Sequence, residues 1–216
     1  MANAAFTGEL MIQQFDAVTA LVLIDVQKGV DVLEHWGGPN GRRNNPQAEG
    51  NIRLLLDGWR RNALPVFYTV HDSREQHSPL KLSLPTGSIK EGLEPRSGDT
   101  IIKKDVNSGF IGTNLELMLQ RRRIHRLVVA GFFTNMCIET TVRTAGNLGF
   151  DTYVVEDACA TTNRVGWDGV DRDAELVHAM AITSMDGEFC TALKTADVLR
   201  LLNGAADDLC RRQGNE

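Results

Sequence analysis

The chain has 216 residues, and its 23 Lys and Arg against 28 Asp and Glu give a net charge of −5. This balance provides no broad basic field for a phosphate backbone, so nucleic acid is not an expected partner. The apolar runs are too short to cross a bilayer, and the N-terminus has no basic segment followed by an apolar stretch. Four cysteines without a CxxC pair fit a reducing compartment. We therefore expect a cytoplasmic protein with no membrane partner, folded as one domain over 1–216.

Strand-like and helix-like patterns alternate along the chain. Such alternation predicts an α/β fold in which right-handed crossovers join the strands of a parallel sheet. Strands are expected over 19–26, 65–71, 98–104, 127–130, 152–155 and 189–193. Helices are expected over 51–62, 115–119, 138–148, 176–181 and 196–202, the second of them opening with a capping box of Thr113 and Glu116.

Several polar side chains follow the predicted strands directly. Asp25 ends the apolar run TALVLIDV, and Lys104 ends the run GDTIIKK. Ligands of open parallel sheets bind at the carboxyl ends of the strands, so these positions are candidates for a site. The alternatives are a capping acid for Asp25 and a solvated surface charge for Lys104.

Cys137 follows a further strand in the stretch RLVVAGFFTNMCIE, at the point where a helical pattern begins. Unpaired backbone N–H groups and the positive end of the helix dipole favour the thiolate there. This placement predicts a nucleophile, and a buried core cysteine is the alternative. If the sheet brings Cys137 to Asp25 and Lys104, the three residues form an acyl-transfer site. The signatures of a serine elbow, a P-loop and a dinucleotide-binding turn are missing from the sequence.

Three segments, LIDVQ, GDTIIKKDVNSGF and VVAGFFTNMCIETTVR, resemble the isochorismatase-like cysteine hydrolases. The resemblance runs over about 19–202. It implies a three-layer Rossmann-like fold with six parallel strands flanked by helices, and a catalytic triad of Asp25, Lys104 and Cys137. Lys104 is preferred to Lys103 because the family places its lysine four residues before a Ser-small-Phe segment, here 108–110.

The same resemblance implies a cis peptide between Phe132 and Phe133. It also implies an oxyanion hole made by the N–H groups of Phe133 and Cys137. Homodimers or homotetramers are common in the family, so we expect one of these assemblies.

Two departures from family patterns narrow the expected chemistry. Isochorismatases proper, which hydrolyse a vinyl ether, lack the nucleophilic cysteine, so Cys137 favours amide chemistry. Nicotinamidases bind a metal through D-x-H…H, but here Thr69 stands in the place of the acid before His71 and His77. We therefore expect neither a metal nor another cofactor, and His71 is expected to line the pocket or to hydrogen-bond a backbone group.

The expected function is hydrolysis of a C–N bond in a small linear or cyclic amide through a thioester on Cys137. Vinyl-ether hydrolysis by Asp25 without a covalent intermediate is one alternative. A non-catalytic scaffold that binds a small molecule is the other. The candidate residues for the substrate-binding wall are Trp36, His71, Asn107, Phe110, Phe133 and Trp167.

Overall fold

A computed structural model describes residues 12–203. Over these residues the main sheet has six parallel strands, β1 (Thr19–Ile24), β2 (Val66–His71), β3 (Thr100–Lys104), β4 (Arg126–Phe132), β5 (Asp151–Ala160) and β8 (Thr191–Leu193). Their spatial order is β3-β2-β1-β4-β5-β8. A separate antiparallel hairpin joins β6 (Arg164–Val165) and β7 (Asp171–Arg172).

Helices cover both faces of the sheet, which gives the three-layer α/β fold expected from the sequence. Their bounds are α1 (Leu33–Gly37), α2 (Ala48–Arg61), α3 (Leu115–Arg121), α4 (Glu139–Asn147), α5 (Ala174–Met185) and α6 (Thr195–Asn203). Alternate residues of β1 supply two hydrophobic clusters, because successive side chains point to opposite faces. Leu21 and Leu23 pack with α2 and α6, whereas Val22 and Ile24 pack with α3 and α4.

The register of the central strands brings their carboxyl ends together. Ile24, the last residue of β1, lies beside Thr69 of β2 and Gly131 of β4. A Cβ at Gly131 would lie 2.1 Å from the carbonyl oxygen of Ile24, and the φ angle of +128° disfavours any other residue there. Glycine is therefore required where β4 approaches β1, just before Phe132.

Three local predictions were wrong. Glu156 and Asp157 do not close the fifth strand but lie within β5, which continues to Ala160 after a shift in its register with β4. The polar stretch 166–173 contributes β7 of the hairpin. The capping box does not form either: α3 begins after Asn114, and the Thr113 hydroxyl accepts the N–H of Leu115 while donating to a carbonyl.

Helix α5 lies where the sequence places it, but part of its apolar surface is exposed. Ala174, His178, Ala181 and Met185 are buried, whereas Leu176 and Met180 are each more than half exposed. No helix between residues 12 and 203 combines the length and apolarity needed to cross a membrane.

Candidate active site

Asp25 follows β1 directly and is almost completely buried. Its backbone has a φ angle of +51°, in the left-handed region, which a short polar side chain tolerates better than most. The hydroxyl of Thr69 donates to its Oδ1 at 2.7 Å. Thr69, which stands in the place of the acid of the nicotinamidase pattern, therefore positions the carboxylate of Asp25.

Lys104, the last residue of β3, connects the members of the site. Its Nζ lies 2.6 Å from Oδ2 of Asp25, 2.7 Å from Nδ1 of His71 and 3.3 Å from Sγ of Cys137. The carbonyl of Val106 is a fourth acceptor at 3.1 Å. Because an ammonium has three N–H bonds, it cannot serve all four acceptors at once. A small displacement of Nζ changes which of them is stabilised.

Cys137 lies in a π-helical turn, Thr134–Ile138, that leads into α4. The turn follows a cis peptide between Phe132 and Phe133, as the resemblance implied. The Sγ of Cys137, a carboxylate oxygen of Asp25 and a ring nitrogen of His71 all lie within 4.8 Å of one another. Together with the Lys104 contacts, this distance shows that the sheet edge brings together Asp25, Lys104 and Cys137, the residues expected to form the triad.

The charge state of this cluster differs in one respect from the sequence expectation. Burial raises the pKa of the Cys137 thiol, the nearby Asp25 carboxylate raises it further, and the Lys104 ammonium only partly opposes them. Burial also raises the pKa of Asp25, but Lys104 and His71 outweigh it and hold that pKa below 3.8. Burial lowers the pKa of Lys104, but Asp25 and Cys137 outweigh burial and raise it. The resting site therefore holds a thiol, a carboxylate and an ammonium, not the thiolate expected from the helix terminus alone.

A cavity of about 450 Å³ opens above Cys137 and Asp25. Four of the predicted wall residues line it: Trp36, His71, Asn107 and Phe133. Trp36 is fixed by a 2.8 Å hydrogen bond from its indole N–H to the Gly29 carbonyl and by an edge contact with Phe133. Asn107 Oδ1 lies 3.8 Å from Cys137 Sγ.

The other two predicted wall residues are not in the cavity. Phe110 is buried in the core on the α3 and α4 side, with its ring 5.8 Å from that of Phe150. Trp167 is 99% exposed in the turn between β6 and β7. The sequence placed both aromatics near polar loops, but only the folded chain decides which way each side chain points.

The donor set at the cavity floor does not fit a metal ion. Asp25, His71 and Cys137 are close enough to one another to share one, but the Lys104 ammonium is within hydrogen-bonding distance of all three. A cation placed among these donors would meet that positive charge directly. His77 is exposed and does not line the cavity.

His71 is held by its backbone as well as by Lys104. The side-chain amide of Gln27 accepts the N–H of His71 at 2.7 Å and donates to its carbonyl at 3.0 Å. These bonds hold the ring of His71 beside Lys104 and Asp25, with Nδ1 2.7 Å from Lys104 Nζ and 3.5 Å from Asp25 Oδ2.

Sequence reasoning missed several residues of the site. Gln27 fixes the end of β2, and its position two residues after Asp25 was the one available signal. Phe132 also lines the cavity, and two cations lie near its ring, with Arg43 Cζ and Lys90 Nζ at 5.3 and 5.5 Å from its centroid. Arg164 of β6 lines the cavity too, and no motif marks it.

Comparisons with known proteins agree with this geometry. Residues 19–197 match the isochorismatase domain. YrdC of Bacillus subtilis (strain 168), an isochorismatase family protein whose activity is uncharacterised, is 39% identical over 180 residues, which cover 83% of this chain and 94% of YrdC. A protein from Chromobacterium violaceum, whose crystal structure is described as that of an isochorismatase-family hydrolase, is 42% identical. Its TM-score is 0.81, and the match covers 88% of this chain and 96% of the other.

Ureidoacrylate amidohydrolase RutB of Agrobacterium fabrum matches a shorter stretch. It is 38% identical over 71 residues, which cover 33% of this chain and 31% of RutB. The family match and the YrdC match each extend over most of the chain. This chain therefore belongs to the isochorismatase family of hydrolases, within the cysteine hydrolase superfamily.

Proposed function

We propose that this hydrolase cleaves a C–N bond in a small amide through a thioester on Cys137. The observation that carries the proposal is the position of Lys104, whose ammonium contacts both the Asp25 carboxylate and the Cys137 sulfur at the cavity floor. A buried thiol beside an ionised carboxylate has a base for its proton and a cation for the thiolate that results. The partial match to an amidohydrolase agrees with this chemistry.

The first half of the reaction forms the acyl-enzyme. Asp25 accepts the thiol proton while the sulfur attacks the substrate carbonyl, and Lys104 stabilises the sulfur as its charge develops. We assign the oxyanion to the backbone N–H groups of Phe133, directly before the π-helical turn, and of Cys137, within that turn. Asp25, now protonated, gives its proton to the nitrogen of the leaving amine, and the C–N bond breaks.

The second half returns the enzyme to its starting state. Asp25 is again a carboxylate and takes a proton from water, whose oxygen attacks the thioester carbonyl. Collapse of the tetrahedral intermediate expels the Cys137 sulfur, which recovers the proton from Asp25. The products are an acid and an amine, and the low pKa of Asp25 keeps it ionised as the base at neutral pH.

Vinyl-ether hydrolysis is the second candidate, favoured by the match to the isochorismatase domain. In that reaction Asp25 would act as the acid and no bond to sulfur would form. The two candidates make opposite predictions for a variant without the thiol.

Mass spectrometry of the intact protein distinguishes amide hydrolysis from vinyl-ether hydrolysis. The wild type and Cys137→Ala are mixed briefly with primary amides, ureido compounds, lactams and isochorismate, and products are measured in parallel. We expect an acyl adduct and release of amine or ammonia with the wild type alone. Turnover of isochorismate that survives Cys137→Ala and is lost in Asp25→Asn would establish the ether reaction instead.

A further inference from the structure

A buried histidine outside the cavity contacts the turn that carries Cys137. His178 lies on α5 with only 7% of its surface exposed, and no step of the proposed reaction uses it. Its Nδ1 lies 2.8 Å from the hydroxyl oxygen of Thr134, the first residue of the π-helical turn. One nitrogen of a neutral imidazole donates and the other accepts, and a hydroxyl does both. The contact is therefore a hydrogen bond in either tautomer.

Only one of the two ring nitrogens of His178 has a partner. Between residues 12 and 203, Nε2 has no hydrogen-bond partner, and Oε2 of Glu156 on β5, at 3.7 Å, is too distant to accept a bond. The other buried residues of α5 are apolar: Ala174, Ala181 and Met185. A half-satisfied buried polar group costs stability, so an apolar side chain would serve packing alone better. The bond to Thr134 is what distinguishes the imidazole from such a side chain.

Thr134 connects this bond to the candidate active site. It follows Phe133, whose N–H is one of the two assigned to the oxyanion, and it shares the π-helical turn with Cys137. Within this segment, the carbonyl of Phe133 accepts the N–H groups of Met136 and Ile138. These backbone bonds close the turn on itself, so its position in the fold depends on what its side chains bind.

Two side chains at the start of the turn bind elements outside it. Thr134 binds His178 of α5, and Asn135 accepts a hydrogen bond from the hydroxyl of Thr161, directly after β5. Within 12–203, His178 is the only hydrogen-bond partner of the Thr134 hydroxyl, and Thr134 is fully buried. Loss of the imidazole would leave that hydroxyl unpaired and release the residue next to Phe133.

We propose that His178 is a positioning residue for the hydrolysis: through the Thr134 hydroxyl it fixes the turn so that the N–H groups of Phe133 and Cys137 point at the developing oxyanion. A displacement of about 1 Å can cost about 100-fold in rate, so a small shift of the turn is enough. The role requires a hydrogen-bonding atom at the position of Nδ1 and no charge. Burial lowers the pKa of His178, which keeps the ring neutral at pH 7.5. The inference rests on the proposed oxyanion assignment, but its test needs no known substrate.

The test uses an aldehyde, which adds reversibly to Cys137 and is not cleaved. The sulfur bonds to the carbonyl carbon, the thiol proton passes to the oxygen, and a hemithioacetal forms with its oxygen at the oxyanion position. Acetaldehyde, propanal and benzaldehyde are compared, and the one that binds the wild type most tightly is kept. Its affinity is measured at pH 7.5 from the protection of Cys137 against iodoacetamide, followed by peptide mass spectrometry. The alkylation rate without aldehyde is the reference, because displacement of iodide by the sulfur needs no oxyanion site.

Three substitutions separate the two ring nitrogens of His178. His178→Asn keeps a polar atom near the position of Nδ1, His178→Gln places one near Nε2, and His178→Leu keeps neither. We expect the affinity for the aldehyde to fall about ten-fold or more in His178→Leu and His178→Gln, and to remain close to the wild-type value in His178→Asn. The alkylation rate should change less than the affinity in all three.

Substitutions of Thr134 test the same bond from the turn. Thr134→Val keeps the shape without the hydroxyl and should weaken aldehyde binding as His178→Leu does, whereas Thr134→Ser should retain binding. The double variant with Thr134→Val and His178→Leu should lose no more than either single variant, because both changes remove one bond. Additive losses would overturn the proposal. The Thr134 variants also decide the question if His178→Leu does not fold.

Met185→Ala is the control for a general loss of stability. Met185 is buried two turns further along the same face of α5, so its truncation should lower the free energy of unfolding without weakening aldehyde binding. Equal losses of affinity in Met185→Ala and His178→Leu would overturn the positioning role, as would equal losses in His178→Asn and His178→Leu.

Two further outcomes separate this inference from the proposed function. A wild type that no aldehyde protects would overturn the oxyanion assignment, and the positioning role with it. If the affinities follow the expected order but no amide yields an acyl adduct or ammonia, the role of His178 in fixing the turn stands and the proposed amide hydrolysis fails.

Discussion

The ammonium of Lys104 and the carboxylate of Asp25 lie 2.6 Å apart, with side chains that are 0% and 1% exposed. Burying either charge without the other would be strongly unfavourable, because neither side chain is accessible to water. The same ammonium touches Cys137, so one buried ion pair links the stability of the sheet edge to the chemistry of the thiol.

Replacing Asp25 by Asn should change turnover and thiol reactivity in opposite directions. Turnover should fall by about 10²- to 10⁴-fold, because the base is lost. Alkylation of Cys137 by iodoacetamide at pH 7.5 should become faster, because the carboxylate raises the pKa of the thiol and Lys104 would then face the sulfur unopposed. Peptide mass spectrometry after timed quenching measures that rate. A slower alkylation in Asp25→Asn would contradict this account of the charges.

Lys104→Met should lower the free energy of unfolding by about 3–5 kcal/mol, because Asp25 is left buried without its partner. Lys103→Met is the matched control. Lys103 is the preceding residue on the same strand, its side chain is 63% exposed, and its pair with Asp72 lies at the surface. Loss of that pair should cost about 0–1 kcal/mol. Urea denaturation of both variants measures their free energies of unfolding. Similar losses in the two would show that the Lys104–Asp25 pair adds little to stability.

The stability that this pair provides should depend on pH at both ends of the scale. The pKa of Asp25 is lower in the folded than in the unfolded chain, so its contribution is complete above about 3.8 and is lost as pH falls through the folded value. The pKa of Lys104 is raised, so its contribution is complete below about 10.5 and is lost as pH rises through the folded value. The difference in unfolding free energy between wild type and the double variant Asp25→Asn, Lys104→Met, which has neither charge, should therefore be flat from about pH 5 to about pH 9 and shrink outside that range. Urea melts across the pH range test this, and a steep change near neutrality would contradict it.

Gly131→Ala should destabilise the protein far more than Gly149→Ala. Both glycines have positive φ, but Gly149 has open space around its missing side chain, whereas a Cβ at Gly131 would collide with Ile24. Strain alone should cost about 1–2 kcal/mol at Gly149, and strain with overpacking about 2–6 kcal/mol at Gly131. Thermal unfolding of the two variants provides the comparison. Equal losses of stability in Gly131→Ala and Gly149→Ala would mean that β4 can move away from β1 to accommodate the added Cβ.

The exposed apolar side chains of α5 support the proposal that the chain associates with copies of itself. Leu176 and Met180 lie one turn apart and line one shallow surface groove. Sedimentation of Leu176→Glu and Met180→Lys should show weaker self-association than the wild type, because an interface would bury these side chains. Leu54→Glu is the control, since Leu54 is 50% exposed on α2, outside that groove. A wild type that sediments as a monomer, or equal effects of all three variants, would exclude this face as the interface.

The order of strands and helices could be predicted from the sequence because it depends on local patterns. The runs at 19–26 and 65–71 are mostly apolar, as is typical of strands covered on both faces. Since the carboxyl ends of parallel strands share one edge, the residue order alone was enough to expect Asp25, Lys104 and Cys137 together.

Features that depend on contacts between distant segments could not be predicted. The ring of Phe110 turns into the core and that of Trp167 into solvent, although both follow polar loops. The length of β5 depends on its pairing with β4, which allows Glu156 and Asp157 to continue a strand that local pattern would end.

The sequence by itself determined which residues are candidates for the chemistry, because a thiol at a helix start and charges at strand ends are local facts. Only the tertiary structure decided their charge states. Helix position alone favours a thiolate at Cys137, but burial and the Asp25 carboxylate favour the thiol. It also decided that Arg164, from a hairpin outside the main sheet, faces the same cavity. Both outcomes depend on distances between segments far apart in the chain, and those distances are set by packing.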